Sequence, residues 1–148
     1  MSKTTFFHIA PMLLGAGSVI LPGNWGRVLK LYTNANDVFY REHILETIRA
    51  NEYPDKPSRL NALFVLDSFE EAQRYLNINN RTGLIYEVAV DVNVSTIHRA
   101  NYNIPTSNFN LLEGMPDVAR KYWGEIPTEN IETLIPDSAV VIKLCQHV

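Results

Sequence analysis

A chain of 148 residues, 46% hydrophobic and 20% charged, has the size of one domain and can bury a real core, which excludes disorder and a coiled coil. Its formal charge of −3 argues against broad binding to a phosphate backbone, although Arg27 with Lys30, or Arg120 with Lys121, could supply a local basic rim. A single cysteine, Cys145, excludes an internal disulfide framework and a cysteine-based zinc site.

No apolar run approaches the ~20 residues of a membrane span. "MSKTTFF" passes straight into strand-like sequence without the apolar core of a signal peptide. One cytoplasmic domain over residues 1–148, with no membrane partner, is therefore expected.

The first strand covers residues 4–9 of "TFFHIAP", aromatic and β-branched around His8 and closed by a proline. "LLGAGSVILPGNWG" follows as a turn, a brief extended piece at "SVIL" and a loop. "RVLKLY" (27–32) fits a helix or a strand. A helix begins at Asn36 or Asp37 and runs to Tyr53, with Val38, Tyr40 or the stem of Arg41, Ile44, Leu45 and Ile48 forming one stripe. Pro54 and Pro57 prevent its continuation.

"RLNALFVL" (59–66) reads as a strand, and Ser68 with Glu71 matches the capping box that opens a helix. "LIYEVAVDV" (84–92) alternates as a long strand, and the Asn-, Ser- and Thr-rich residues 93–114 read as a long loop. "MPDVARKYW" (115–123) suits a short helix with proline near its start. "NIETLI" and "AVVIKLCQ" close the chain as two strands around a Pro-Asp-Ser turn. The sum is an α+β domain of two packed, mostly antiparallel sheets with its helices in the connections.

The common catalytic motifs for nucleotide binding, zinc proteolysis and serine hydrolysis are absent. The histidines, at positions 8, 43, 98 and 147, are far apart and have no metal-ligand spacing, so no metal is expected. What remains is an ordered set: a strand carrying His8, a strand running through a polar turn into a capped helix, and Glu132 opening an otherwise apolar strand.

In that order, "FFHIAP", "LFVLDSFEEA" and "ETLIPDSAV" resemble the ADP-ribosyltransferase superfamily, in the branch that includes diphtheria toxin, the poly(ADP-ribose) polymerases and the small rifampin-modifying enzymes. "ILPGNWG" is similar to the Pro-Gly loop after the first strand of the rifampin-modifying members. The resemblance implies an ADP-ribosyltransferase-like fold that uses NAD as substrate and no metal. Glu132 falls in the place of the catalytic acid. His8 would hydrogen-bond the adenosine ribose, and the backbone of Ile9, where the family has glycine, would meet the nicotinamide amide. Phe64, where tyrosine is usual, would pack on the nicotinamide ring. Tyr53, eleven positions earlier, would face the ring's other side, and Arg59 with Ser58 would reach the phosphates; read without the resemblance, Arg59 is equally a solvated cation.

Such residue types suit the chemistry. Cleaving the nicotinamide–ribose bond develops oxocarbenium charge, which an ionised carboxylate stabilises while it orients or deprotonates the acceptor. Asn130 stands where arginine-modifying relatives carry a second acid, which disfavours arginine as the acceptor; the target is a protein side chain, a nucleic acid or a small molecule. The implied activity is transfer of ADP-ribose to a macromolecule, in the setting of a toxin or of a phage or defence effector. NAD hydrolysis, or an inactive module binding NAD or a partner on the same fold, are the alternatives.

Overall fold

Aromatic and β-branched residues build β1 (Lys3–Ala10), whose Phe6 and Ala10 are buried on one face. The structure is a computed structural model describing residues 3–91 and 96–145. β1 pairs antiparallel along its length with the strand at Leu84–Asp91, Lys3 opposite Asp91 and Ala10 opposite Leu84. In chain order, β2 is Val19–Ile20, β3 Leu63–Val65, β4 Leu84–Asp91, β5 His98–Asn101, β6 Ile131–Ile135 and β7 Ala139–Cys145. The first sheet has the order β1-β4-β7-β2 and the second β3-β6-β5, with every pairing antiparallel. One bridge joins the sheets: Phe7 and Leu66 exchange backbone hydrogen bonds of 2.9 and 2.8 Å.

The helices α1 (Asn24–Leu29), α2 (Asp37–Glu52), α3 (Phe69–Ile78) and α4 (Leu111–Gly124) all lie in connections. Their starts follow local chemistry. Asn36 accepts from the Phe39 amide, Ser68 from the Glu71 amide, and Asn110 from the amides of Leu112 and Glu113. Three apolar clusters order the layers. Phe6, Tyr86, Val88 and Val141 of the first sheet meet Leu63, Val65 and Ile135 of the second. On the far side of the second sheet, Leu45 and Ile48 of α2 and Ala119, Tyr122 and Trp123 of α4 cover Ala100 and Leu134. α3 packs against Phe7, Ile9 and Ile85 through Ala72 and Leu76. Fully burying side chains such as Leu45 contributes roughly 1.5–3 kcal/mol each, so the α2–α4 layer fixes whatever the second sheet presents to it.

Three expectations are corrected. The strand expected over 59–66 is a 3-10 turn at Arg59–Asn61 followed by the short β3. Ser58 caps the turn by accepting from the Leu60 amide, and the Arg59 side chain turns inward to carboxylates, so the segment cannot continue a ladder. The loop expected over 93–114 contains β5, whose edge pairs with β6, and the first residues of α4; residues 93–95 lie outside the described residues. α4 begins at Leu111 rather than Met115 because Asn110 supplies the cap, and Pro116 sits inside it. The carbonyl that Pro116 leaves without its helical donor belongs to the exposed Leu112, which water can reach. The ambiguous 27–32 segment is resolved as the end of α1.

Candidate functional site

Period-2 alternation fixes which side chains of the second sheet share a face. Phe64 lies opposite Leu134 and Ala100 opposite Glu132, so these side chains and His98 point together towards α2 and α4. β6 is the central strand of that sheet, which leaves the Glu132 carboxylate enclosed, with the residue only 6% exposed.

A buried carboxylate needs a partner, and Arg59 supplies it from the 3-10 turn. Nη1 of Arg59 donates to Oε2 of Glu132 and, at 2.7 Å, to the Tyr122 hydroxyl, which itself donates to the same Glu132 oxygen at 2.5 Å. The other side of the guanidinium forks onto Glu42 of α2, with Nε to Oε2 at 2.9 Å and Nη2 to Oε1 at 2.8 Å. Arg41 adds a bond of 3.1 Å to Oε1 of Glu42. The guanidinium also lies 4.8 Å from the Phe64 ring centre and 5.1 Å from that of Tyr122, so two aromatic faces and two carboxylates surround one planar cation.

Charge sets the protonation states. Burial alone would raise the Glu42 carboxyl, but the Arg59 guanidinium, helped by Arg41, outweighs it and holds the group below the ordinary carboxylate range. Burial opposes the charge on Arg59, yet Glu132 and Glu42 beside it keep its pKa well above the usual arginine value. Burial, reinforced by Glu132, pushes the Tyr122 hydroxyl well above 10, so it stays a donor. In this arrangement the Glu132 side chain is shielded from solvent and held by two donors.

His8 stands at the seam between the sheets, where Nδ1 is 2.9 Å from the Phe64 carbonyl oxygen. Burial lowers its pKa against that bond, favouring the neutral ring. Ile9 points to the opposite face of β1, packing under α3, while its backbone sits in the ladder opposite Ile85. Tyr53 ends α2 against Gly124, where an added Cβ would stand 2.8 Å from its hydroxyl. Tyr53 and Phe64 join the same apolar cluster, but among the described residues no ring contact links them. The structure thus gathers Arg59, Phe64 and Glu132 into one cluster, ties His8 to it through a carbonyl, sets Tyr53 at its margin and leaves Ile9 facing elsewhere.

Sequence reasoning missed Glu42 and Tyr122. Glu42 had a signal: with Leu45 and Ile48 at helical spacing, it is an acid on the stripe α2 buries. Tyr122 had none beyond its neighbour Trp123, whose Nε1 donates to the Leu45 carbonyl at 2.9 Å.

Beside this cluster lies a cavity of about 950 Å³ between α1 and the 3-10 turn on one side and α2 on the other. Glu42 belongs to its wall, whereas His8, Ile9, Tyr53, Arg59, Phe64 and Glu132 do not. Among the described residues no group of three or more His, Cys, Asp or Glu side chains could hold a metal ion, and no helix is long and apolar enough to cross a membrane.

The chain belongs to the family described as "Protein of unknown function (DUF2441)", which it matches over residues 21–147. That span includes Glu42, Tyr53, Arg59, Phe64, Tyr122 and Glu132 and leaves out His8 and Ile9. No curated protein matches the chain.

Proposed function

We propose that the protein is an ADP-ribosyltransferase that cleaves the nicotinamide–ribose bond of NAD and transfers ADP-ribose to a protein or nucleic-acid acceptor. The observation that supports this reading is convergence: Phe64 and Glu132, 68 positions apart, engage the same planar cation, with the His8 imidazole hydrogen-bonded to the Phe64 carbonyl. The nicotinamide ring is also planar and cationic in NAD. A site with aromatic faces and an ionised carboxylate recognises that kind of group.

In the reaction, nicotinamide leaves with the electron pair of its bond to the ribose C1′. Glu132 stabilises the oxocarbenium charge and takes the proton of the acceptor nucleophile as the new bond forms. Arg59 now fills the space between Phe64 and Tyr122, so productive binding requires its side chain to withdraw, with Glu42 retaining the guanidinium through its fork.

A second reading, a non-catalytic module that binds NAD or a partner on the same fold, is favoured by one observation: Glu132 is buried and already paired with Arg59 and Tyr122. Incubation with NAD carrying label on the adenylate half, followed by assay of nicotinamide, separates the readings. Labelled macromolecule is the expected result, with Glu132→Gln abolishing it while circular dichroism stays unchanged. Free ADP-ribose without labelled macromolecule would mean hydrolysis. Absence of nicotinamide release from the wild type, or undiminished release by Glu132→Gln, overturns the proposed mechanism.

A further inference from the structure

The cavity between α1 and α2 has an unequal charge balance. Its acids are satisfied within the protein: Glu42 is paired with Arg59 and Arg41, and Glu46 receives Nε and Nη2 of Arg49 and, at 2.7 Å, the Ser58 hydroxyl. Its cations are not. Arg27 in the last turn of α1 and Lys30, which caps its C-terminal end, both line the cavity, are exposed, and form no ion pair among the described residues. Arg27 donates only a long bond of 3.3 Å, to the Pro22 carbonyl. Gly23, with φ of 93°, permits that approach, since a Cβ there would be strained and would stand 3.3 Å from Nη1 of Arg27. Apolar residues lie beside these cations: Leu29, Leu60 and Phe39 line the same cavity, Phe39 being 39% exposed with its ring stacked at 6.4 Å on that of Tyr32.

We infer that this cavity is a binding site for a phosphomonoester of nucleotide size, with its phosphate on Arg27 and Lys30 and its ring system against Phe39. Two unpaired cations at one helix end match a dianionic phosphate better than a single carboxylate charge. The volume, about 950 Å³, lies within the range of small-molecule sites and admits a body as large as a nucleoside. The apolar wall supplies what inorganic phosphate could not use. The inference goes beyond NAD chemistry at Glu132 and does not rest on it.

The test is calorimetric titration of the full chain with adenosine 5′-monophosphate and with phenyl phosphate, using adenosine and inorganic phosphate as controls. Both esters should bind saturably, the nucleotide about ten-fold or more tightly than either control. The paired change Arg27→Ala with Lys30→Ala should weaken both esters by about ten-fold or more, with an unchanged melting temperature because both side chains are exposed. Phe39→Ala should weaken the nucleotide while leaving inorganic phosphate unaffected. Absence of saturable binding by both esters up to about 10 mM overturns the inference, as does an affinity indifferent to loss of both cations. Nicotinamide release, measured separately, reports on Glu132 and is not read by these titrations.

Discussion

Replacing Arg59 by methionine tests what holds the second sheet to α2. Methionine fills much of the volume but removes the charge, leaving Glu42, 2% exposed, and Glu132, 6% exposed, as carboxylates without their shared partner. Removing one member of a buried ion pair costs about 3–5 kcal/mol, because the remaining charge is uncompensated. In a domain of this length each kcal/mol moves the melting temperature by roughly 2–4 °C, so Arg59→Met should melt about 6–20 °C below the wild type at pH 7. The pH dependence carries the sign of the argument. In the wild type the Glu42 carboxyl lies below its ordinary value, so its contribution is present above the unfolded-state pKa and is lost as pH falls through the lowered folded value. Without Arg59, burial acts on the Glu42 carboxyl with far less opposition and raises it, so the folded variant takes up a proton before its unfolded chain does. The deficit should therefore be largest near neutrality and shrink towards pH 4.5. Thermal unfolding gives the melting temperatures, and urea unfolding followed by tryptophan fluorescence at several pH values gives the pH dependence of the deficit. Combining the change with Glu42→Leu and Glu132→Leu should recover most of the loss, since apolar replacement of a whole buried cluster is often neutral or stabilising. A loss under about 1 kcal/mol at pH 7, or one that does not vary with pH, would refute the reasoning.

Two other outcomes are expected. Burial lowers the His98 pKa to about 4 even though its Nε2 is 3.0 Å from the Tyr122 carbonyl; the unfolded chain then takes a proton first, and stability falls as pH drops from about 6.5 towards 4. Nitrogen chemical shifts of the His98 ring should report a neutral imidazole at pH 5.5, and a charged one would contradict this. Gly26→Ala would drive a Cβ into the Leu60 carbonyl, so α1 must move from the 3-10 turn; a loss of about 1–3 kcal/mol is expected in thermal unfolding, and an unchanged melting temperature would show that the contact relaxes freely.

Much of the architecture was legible because its signals are local. Asn36 and Ser68 announce their helices by capping, and the aromatic and β-branched residues of "TFFHIA" and the alternation of "LIYEVAV" mark two strands that pair residue for residue. β5 was not legible, since "HRAN" has little strand propensity and is extended because β6 offers it an edge and because His98 packs on Tyr122 and Trp123. Gly114 and Pro116 hid the start of α4, where Asn110 outweighs both. At the site, the shared face of Phe64 and Glu132 follows from counting along paired strands, but the partner of Glu132 does not. Arg59 reads as a solvated cation until the fold brings Glu42 and Tyr122, distant in sequence, around it.

Glu42 belongs both to the wall of the cavity and to the fork on Arg59, which in turn grips Glu132. Whatever settles in the cavity and alters the hold of Glu42 on that guanidinium changes the free energy of releasing Glu132. By thermodynamic linkage the traffic runs equally in reverse. The coupling is as strong as the change at Glu42: a ligand that leaves the fork on Arg59 in place is not felt at Glu132, and one that breaks it is.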